Sequence, residues 1–322
     1  MENFFLSILW PVRWLVELVL VAWHWLFTTV GLSPDGGLTW VLSIVGLVVV
    51  ARAALIPIFV RQIKNQRRML EVAPQIKKIQ DKYKGKRDQI SREAMSRETM
   101  ALYKQTGTNP LSSCIPLLIQ MPIFFSLFSV LNNAQHGKVG VGPLNAALSH
   151  SLDGARLFGL APLNESFSQA RVNGDVAVMW IAGVMVALMV ASQFITQLQI
   201  MSKNISAETK ASPQFRQQRV LMYFLPFIFL FSGYAFPLGV MFYWLTTNIW
   251  TMGQQFIVIR SMPTPGTEAA RAREERLARR RKNQLEQIEA NAELEAAGEA
   301  PKKITTQRQQ PVSKQRSKKQ GR

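Results

Sequence analysis

Arg52 is the residue whose position most constrains the chemistry of this chain. It is the only charged residue in the apolar stretch 39–60. A helix places it about nine residues, or roughly 13 Å, from the end of that stretch. An arginine near a bilayer centre costs about 2.5–3.5 kcal/mol on insertion scales, so we expect its guanidinium to face water or a polar partner. The alternative is an arginine that snorkels to the interface, but its side chain would have more than half a leaflet to climb.

Three other apolar stretches carry uncharged polar side chains at a similar depth. The polar residues are Gln120, Gln193 and the neighbouring pair Thr247 and Asn248. No carboxylate lies within any of these stretches. A lone cation among amides and hydroxyls predicts a water-filled cavity that could draw the polar or acidic tail of another protein part-way across a membrane. For each amide alone, an interhelical hydrogen bond is the alternative.

The elements that must position these residues are long apolar helices. A helix needs about 20 apolar residues to cross the hydrocarbon core. The sequence predicts five such spans, at residues 38–60, 111–131, 176–200, 218–235 and 238–259. The last two come from one uncharged run that Gly and Pro residues interrupt. We therefore predict an all-α membrane protein with five transmembrane helices in a core of residues 38–260.

The distribution of cations predicts the orientation. The strongly basic segments are residues 61–104, 203–219 and 260–322, which together hold 33 of the 38 Lys and Arg residues. Five spans place all three in the cytoplasm if the N-terminus is outside and the C-terminus inside. The loop 132–175 then lies outside, with three cations and three anions.

The N-terminal segment 1–37 allows two interpretations. Within residues 9–30, the polar residues Arg13, Glu17, His24 and Thr28 fall on one helical stripe and are accompanied by four tryptophans. This pattern favours an amphipathic helix lying in the membrane interface. A sixth span is the alternative. We expect no cleavable signal peptide, because no basic segment precedes the apolar residues.

Two basic segments are predicted to be helical. Apolar residues at spacings of three and four on both sides of a turn at residues 83–88 predict a cytoplasmic helical hairpin at 61–108. The tail 261–322 is predicted to be helical to about residue 297 and then disordered. The tail cations, with the chain's net charge of +18, could bind ribosomal RNA or anionic lipid.

Several classes of protein are disfavoured. A single cysteine, Cys114, and three scattered histidines argue against metal sites and disulfides, so no cofactor is expected. No His, Asp or Glu lies within a predicted span, which argues against an intramembrane enzyme. A small-molecule or ion transporter is the alternative function, although no internal repeat or paired intramembrane charge is present.

Three motifs resemble the YidC/Oxa1/Alb3 family of membrane protein insertases. The run TNPLSSCIPLLIQMPIF at 108–124 is similar to that family's most recognisable bacterial motif. The run RAALIPI at 52–58 is similar to the motif that bears its groove arginine. The run FPLGVMFYW at 236–244, with Tyr243, resembles the substrate-contacting part of its last span. Together they cover roughly residues 38–260.

The resemblance implies a five-helix core around a hydrophilic groove that is open to cytoplasm and lipid. It also implies a multi-pass protein of the bacterial inner membrane that handles nascent membrane proteins, with the ribosome, the signal-recognition pathway and the Sec translocon as partners. The sequence departs from other members of that family in two ways. It has no large domain before the first span and no lipoprotein cysteine, which points to an actinobacterial type.

Overall fold

The computed structural model of the chain describes residues 9–86, 88–109, 115–135, 138–205, 210, 220, 224 and 227–296. The long helices are α1 (Trp10–Thr29), α2 (Gly37–Lys82), α3 (Gln89–Thr106), α4 (Ile115–Gln135), α7 (Val176–Lys203), α8 (Ile228–Ala235) and α9 (Leu238–Ser261). Between α4 and α7 lie α5 (Ala146–Gly154), β1 (Arg156–Leu157), β2 (Ala161–Pro162) and α6 (Phe167–Asn173). The helix α10 (Glu268–Ala296) belongs almost wholly to a second compact unit that starts at Ala270 and is described by itself.

Parts of several predicted segments lie outside the described residues. These are most of residues 203–219, the first half of the predicted span 218–235, five positions of the motif 108–124, and the tail beyond Ala296.

The first apolar stretch and the first arm of the basic hairpin form one continuous helix. The 46-residue α2 runs through the internal prolines Pro57 and Pro74. The chain then turns, Asp88 accepts a hydrogen bond from the Ser91 N–H, and α3 begins. This side-chain cap satisfies one of the N–H groups that a helix start leaves free. Arg52 therefore lies on the same helix that forms the first arm of the helical hairpin.

The segment between α4 and α7 is folded rather than an open loop. Its apolar side chains Leu144, Leu152, Leu157 and Leu163 are buried in the main core. The sequence had predicted only a connection of balanced charge here. Burial of leucines at this density removes apolar area from water, which holds the segment against the ends of the long helices.

This segment also caps the start of α9. The Leu238 N–H donates to the Glu165 carbonyl at 3.1 Å, and the Gly239 N–H donates to the Leu163 carbonyl at 2.9 Å. Pro237 precedes them as N-cap residue and has no N–H of its own to satisfy. The Pro-x-Gly sequence at 237–239 thus fixes where α9 begins.

The polar stripe of α1 faces protein. Arg13, Glu17 and His24 are all buried, while Trp10, Trp14 and Trp25 are exposed. The His24 ring stacks on Trp40 near the start of α2, and Glu17 binds the chain just after α4. Both contacts lie at one end of the helix bundle, where α2 begins and α4 ends. The interfacial helix and the sixth span both stay predictions.

Exposed apolar side chains cover the outside of the long helices. On α7, Trp180, Val184, Leu188 and Ile195 recur at spacings of four and seven on one face, and all are exposed. An exposed apolar face of this length is typical of contact with lipid rather than water. Two helices, Gly37–Asn65 and Val176–Lys203, are long and apolar enough to cross a membrane by themselves. The count of five spans stays a prediction.

Candidate functional site

Tyr243 is the side chain at which three helices meet. It lies on α9, which packs most extensively against α7 and also contacts α2 and α4. Only 2% of Tyr243 is exposed. The Gln120 side chain of α4 donates a hydrogen bond from Nε2 to the Tyr243 phenol oxygen. Since the oxygen accepts this bond, the phenol retains its own proton as a donor for another group.

Arg52 approaches the same phenol from α2. It is half-buried and close enough to Tyr243 for an electrostatic interaction. Its guanidinium carbon also lies 5.4 Å from the ring centroid of Phe59, two turns along the helix, which gives a cation–π contact. Within the described part of the chain, no carboxylate forms an ion pair with Arg52. The structure therefore brings Arg52, Tyr243 and Gln120 together around an uncompensated positive charge.

Thr247 and Asn248 continue the polar face of α9 beyond Tyr243. Both are about nine-tenths buried, and Thr247 lies one turn from the phenol. The Thr247 hydroxyl lies within reach of the Tyr243 phenol, and Asn248 Nδ2 has no hydrogen-bond partner among the described residues. Thr247 and Asn248 therefore extend the polar side chains of α9 from Tyr243 toward the end of the helix.

Gln193 is the predicted site residue that the structure does not bring into this cluster. It is half-buried on α7, and no hydrogen bond of its side chain is found in the described chain. Gln197, one turn further on, is buried instead, with Oε1 unsatisfied. No signal in the sequence predicted this outcome, because Met185, Met189, Ser192 and Thr196 share one helical face and Gln193 lies nearer to that face than Gln197 does.

Ser126 was also missed by the sequence analysis. It is fully buried on α4, and its Oγ has no partner within the described residues. A serine among phenylalanines carries no signal of its own. Its spacing of six residues from Gln120 gives no signal either, because residues six apart do not share a helical face.

Aromatic rings flank the polar cluster. Phe124 of α4 stacks on Trp244 of α9 with ring centroids 5.1 Å apart, and Phe236 meets the same indole edge-on at 5.1 Å. Phe124 also lies 6.3 Å from the Tyr243 ring. These offset and edge-to-face contacts hold α4 against α9. They fix the distance between Gln120 and Tyr243.

Taken together, apolar outer faces, long helices and an internal cluster of polar side chains define an all-α membrane protein. Comparison with known proteins gives the family. The family model described as "60Kd inner membrane protein" matches residues 32–265. The chain belongs to this family, and the resemblance to the YidC/Oxa1/Alb3 proteins is confirmed. It is accordingly a protein of the bacterial inner membrane.

Similar proteins include three that are named "Membrane protein insertase YidC". The one from Tropheryma whipplei (strain Twist) is 43% identical, over 98% of this chain and 97% of its own length. The one from Bifidobacterium longum is 37% identical, over 98% of this chain and 96% of its own length. The one from Streptomyces avermitilis is 46% identical, over 83% of this chain and 61% of its own length.

Proposed function

We propose that this protein is a membrane protein insertase. It moves hydrophobic segments of newly made proteins from the cytoplasm into the bilayer, through a groove that contains Arg52. The relatives' names support the activity. The observation that carries the mechanism is the half-buried Arg52, which has no carboxylate partner in the described chain and lies beside the Tyr243 phenol. No covalent step is needed, and the protein acts without catalytic residues.

The positive charge attracts the polar end of the substrate. A guanidinium in a partly desolvated site interacts with a carboxylate more strongly than it would in bulk water. An acidic or polar tail that enters from the cytoplasm is therefore drawn toward Arg52. Gln120, Thr247, Asn248 and the half-buried Gln193 supply hydrogen bonds that replace part of the hydration of the tail.

The apolar segment of the substrate takes a different path. Large apolar side chains such as Leu118, Met121 and Phe125 are exposed on α4, beside the face that bears Gln120. A substrate helix can lie along such a surface and then partition into lipid. Met121 suits this role because its unbranched side chain adapts to varied partners. Met185, Met189 and Met241 are buried and serve as core residues instead.

The proposed topology has five spans, with the N-terminus outside and the C-terminus in the cytoplasm. The helical hairpin made by the end of α2 and by α3 then lies in the cytoplasm, where exposed Ile90 and Met100 could meet an incoming substrate. The proposed partners are the ribosome, through the basic tail, and anionic lipids. The Sec translocon and the signal-recognition pathway are proposed from the family resemblance.

The experiment is protease protection of a small single-span protein added to proteoliposomes that contain only this chain. We expect the N-terminal tail of the substrate to become protected. Liposomes without protein, and proteoliposomes with Arg52→Ala, are the controls. If the tail remains accessible while the reconstituted chain is folded and correctly oriented, autonomous insertion is excluded. Uptake of a labelled small solute by the same vesicles would instead favour a transporter.

A further inference from the structure

The hairpin formed by β1 and β2 carries an unusual turn. Phe158 and Gly159 both have positive φ, of 53° and 73°. Within the described residues, Phe158 is the only residue other than glycine in this conformation. Tight hairpin turns of this kind prefer Asn, Asp or Gly at both central positions, since other side chains are strained there. A phenylalanine here is unfavourable for folding alone.

The turn also exposes large apolar side chains. Phe158 is 76% exposed and Leu160 is 64% exposed, while Leu157 and Ala161, which flank the turn on either side, are buried in the core. Turn residues are usually polar because they face water. The hairpin therefore presents two apolar side chains outward from a base that is firmly packed.

The base of the hairpin is attached to the start of α2. Gly36 and Arg156 form a parallel β-bridge. A Cβ added at Gly37 would lie 2.4 Å from the Arg156 carbonyl carbon, so only glycine permits this approach. Gly37 is the first residue of the candidate membrane helix Gly37–Asn65. The hairpin is thus tied to the level at which that helix begins.

This attachment limits how far the turn can be from a bilayer. A strand advances about 3.3 Å per residue, so Phe158 lies within roughly 7 Å of Arg156. The headgroup region on each side of the hydrocarbon core is about 5–8 Å thick. Whichever way the hairpin points, Phe158 falls within or at the edge of the headgroup region, provided that α2 crosses the membrane.

We propose that the turn 158–160 is a lipid-inserting wedge that holds this end of the protein in the outer leaflet. Phe158 and Leu160 enter the boundary between headgroups and acyl chains. A protein partner fits the surface less well, because two side chains present far less than the roughly 800 Å² that each partner of a standard interface buries.

The test measures the depth of single labelled positions in lipid nanodiscs. In a Cys114→Ala background, Phe158→Cys or Leu160→Cys carries an environment-sensitive fluorophore. Nitroxide lipids quench labels in the membrane, and iodide quenches labels in water. Leu188→Cys on the exposed face of α7 is the lipid control, and Ile90→Cys at the start of α3 is the water control.

We expect labels at 158 and 160 to be quenched by the nitroxide lipid nearly as strongly as the label at 188. Quenching by iodide should be several-fold weaker than at 90. Labels that behave like the one at 90, or that are protected from both quenchers, would overturn the proposal. A further variant, Phe158→Asn with the label at 160, relieves the backbone strain and should increase iodide quenching; no increase would also count against it. None of these readouts depends on insertase activity.

Discussion

The carboxylate of Glu17 holds the backbone of Gly142. Glu17 Oε2 accepts the Gly142 N–H at 2.7 Å, and Oε1 accepts the Val141 N–H at 2.9 Å. Glu17 is fully buried. A buried carboxylate with two backbone donors is satisfied by hydrogen bonds without a counter-ion. This contact ties α1 to the chain that follows α4 and aligns the start of the protein with the bundle.

Glu17→Ala should destabilise the protein. Each buried N–H left without a partner costs about 1–3 kcal/mol. Gly140→Ala should also destabilise it, because the added Cβ would lie 2.3 Å from Glu17 Oε2. The midpoint of thermal unfolding, recorded in detergent at one scan rate, measures the loss of stability in each variant. The neighbouring Leu18, which is 40% exposed, provides the matched control Leu18→Ala. Equal midpoints for Glu17→Ala and Leu18→Ala would contradict the role of this carboxylate.

Tyr243→Phe should lower both stability and insertion. The variant removes the hydrogen bond that the half-buried Gln120 amide donates to Tyr243, at a cost of about 0.5–1.5 kcal/mol. The matched control is Tyr234→Phe, since Tyr234 is 46% exposed. In the double variant Gln120→Leu with Tyr243→Phe, much of the lost stability should return, because neither partner remains to be satisfied. Strict additivity of the two single effects would show that the hydrogen bond contributes little.

Arg52→Gln should slow insertion of substrates with acidic tails more than that of neutral ones. We expect a difference of roughly tenfold, which corresponds to about 1.4 kcal/mol. Arg52→Lys should retain part of the effect because it keeps the charge. Arg61→Gln, an exposed arginine on the same helix, is the control. Protease protection with paired acidic and neutral substrates gives the ratio, and an equal loss for both would rule out the electrostatic role.

The helical hairpin should depend on pH at both extremes. The hydrogen bond from Lys82 Nζ to Glu98, 2.5 Å long, raises the pKa of Lys82 and lowers that of Glu98. The lowered pKa of Glu98 stabilises the folded hairpin at pH values above the ordinary glutamate pKa of about 4.3. This stabilisation is lost as the pH falls through the pKa of Glu98 in the folded protein. The raised pKa of Lys82 stabilises the folded hairpin at pH values below the ordinary lysine pKa of about 10.4. This stabilisation is lost as the pH rises through the pKa of Lys82 in the folded protein. The hairpin should therefore be most closed from about pH 5 to 10.

Spin labels at residues 75 and 105, in a Cys114→Ala background, would report this closure as a narrow distance distribution. The distribution should broaden modestly toward both pH extremes, because both side chains are exposed and their pair is screened by solvent. Glu98→Gln should broaden it at neutral pH. Glu93→Gln removes a different ion pair, with Arg97 within α3, and should leave the distribution unchanged. A distribution that is independent of pH would contradict the assignment.

The basic helix α10 should contribute to ribosome binding. Its cluster Arg279, Arg280, Arg281 and Lys282 is exposed. Replacing these four residues with glutamine should weaken co-sedimentation with ribosomes and flatten its dependence on salt, because fewer phosphate contacts release fewer counterions. Deletion of residues 267–322 should have the larger effect. Unchanged co-sedimentation at low salt after the deletion would remove the tail from the proposal.

The sequence by itself determined the helical class, the family and the identity of the central residues. Uncharged stretches near 20 residues long leave helices as the simplest way to satisfy the backbone in lipid. Arg52, Gln120 and Tyr243 were identifiable because each departs from the apolar composition around it or lies in a recognised motif. Their depth could be counted from the ends of the stretches, since the helical rise is constant.

Only the tertiary structure decided which of these side chains meet. Gln197 is buried and Gln193 only half-buried, although the two lie one turn apart on α7. Helical spacing does not separate them, because the burial of each side chain depends on its tertiary neighbours. The contact between Glu17 and Gly142 joins residues 125 positions apart. The strained turn at Phe158 likewise depends on where the β1–β2 hairpin packs against the start of α2. Such long-range contacts are set by the packing of whole elements, so their positions could not be counted along the chain.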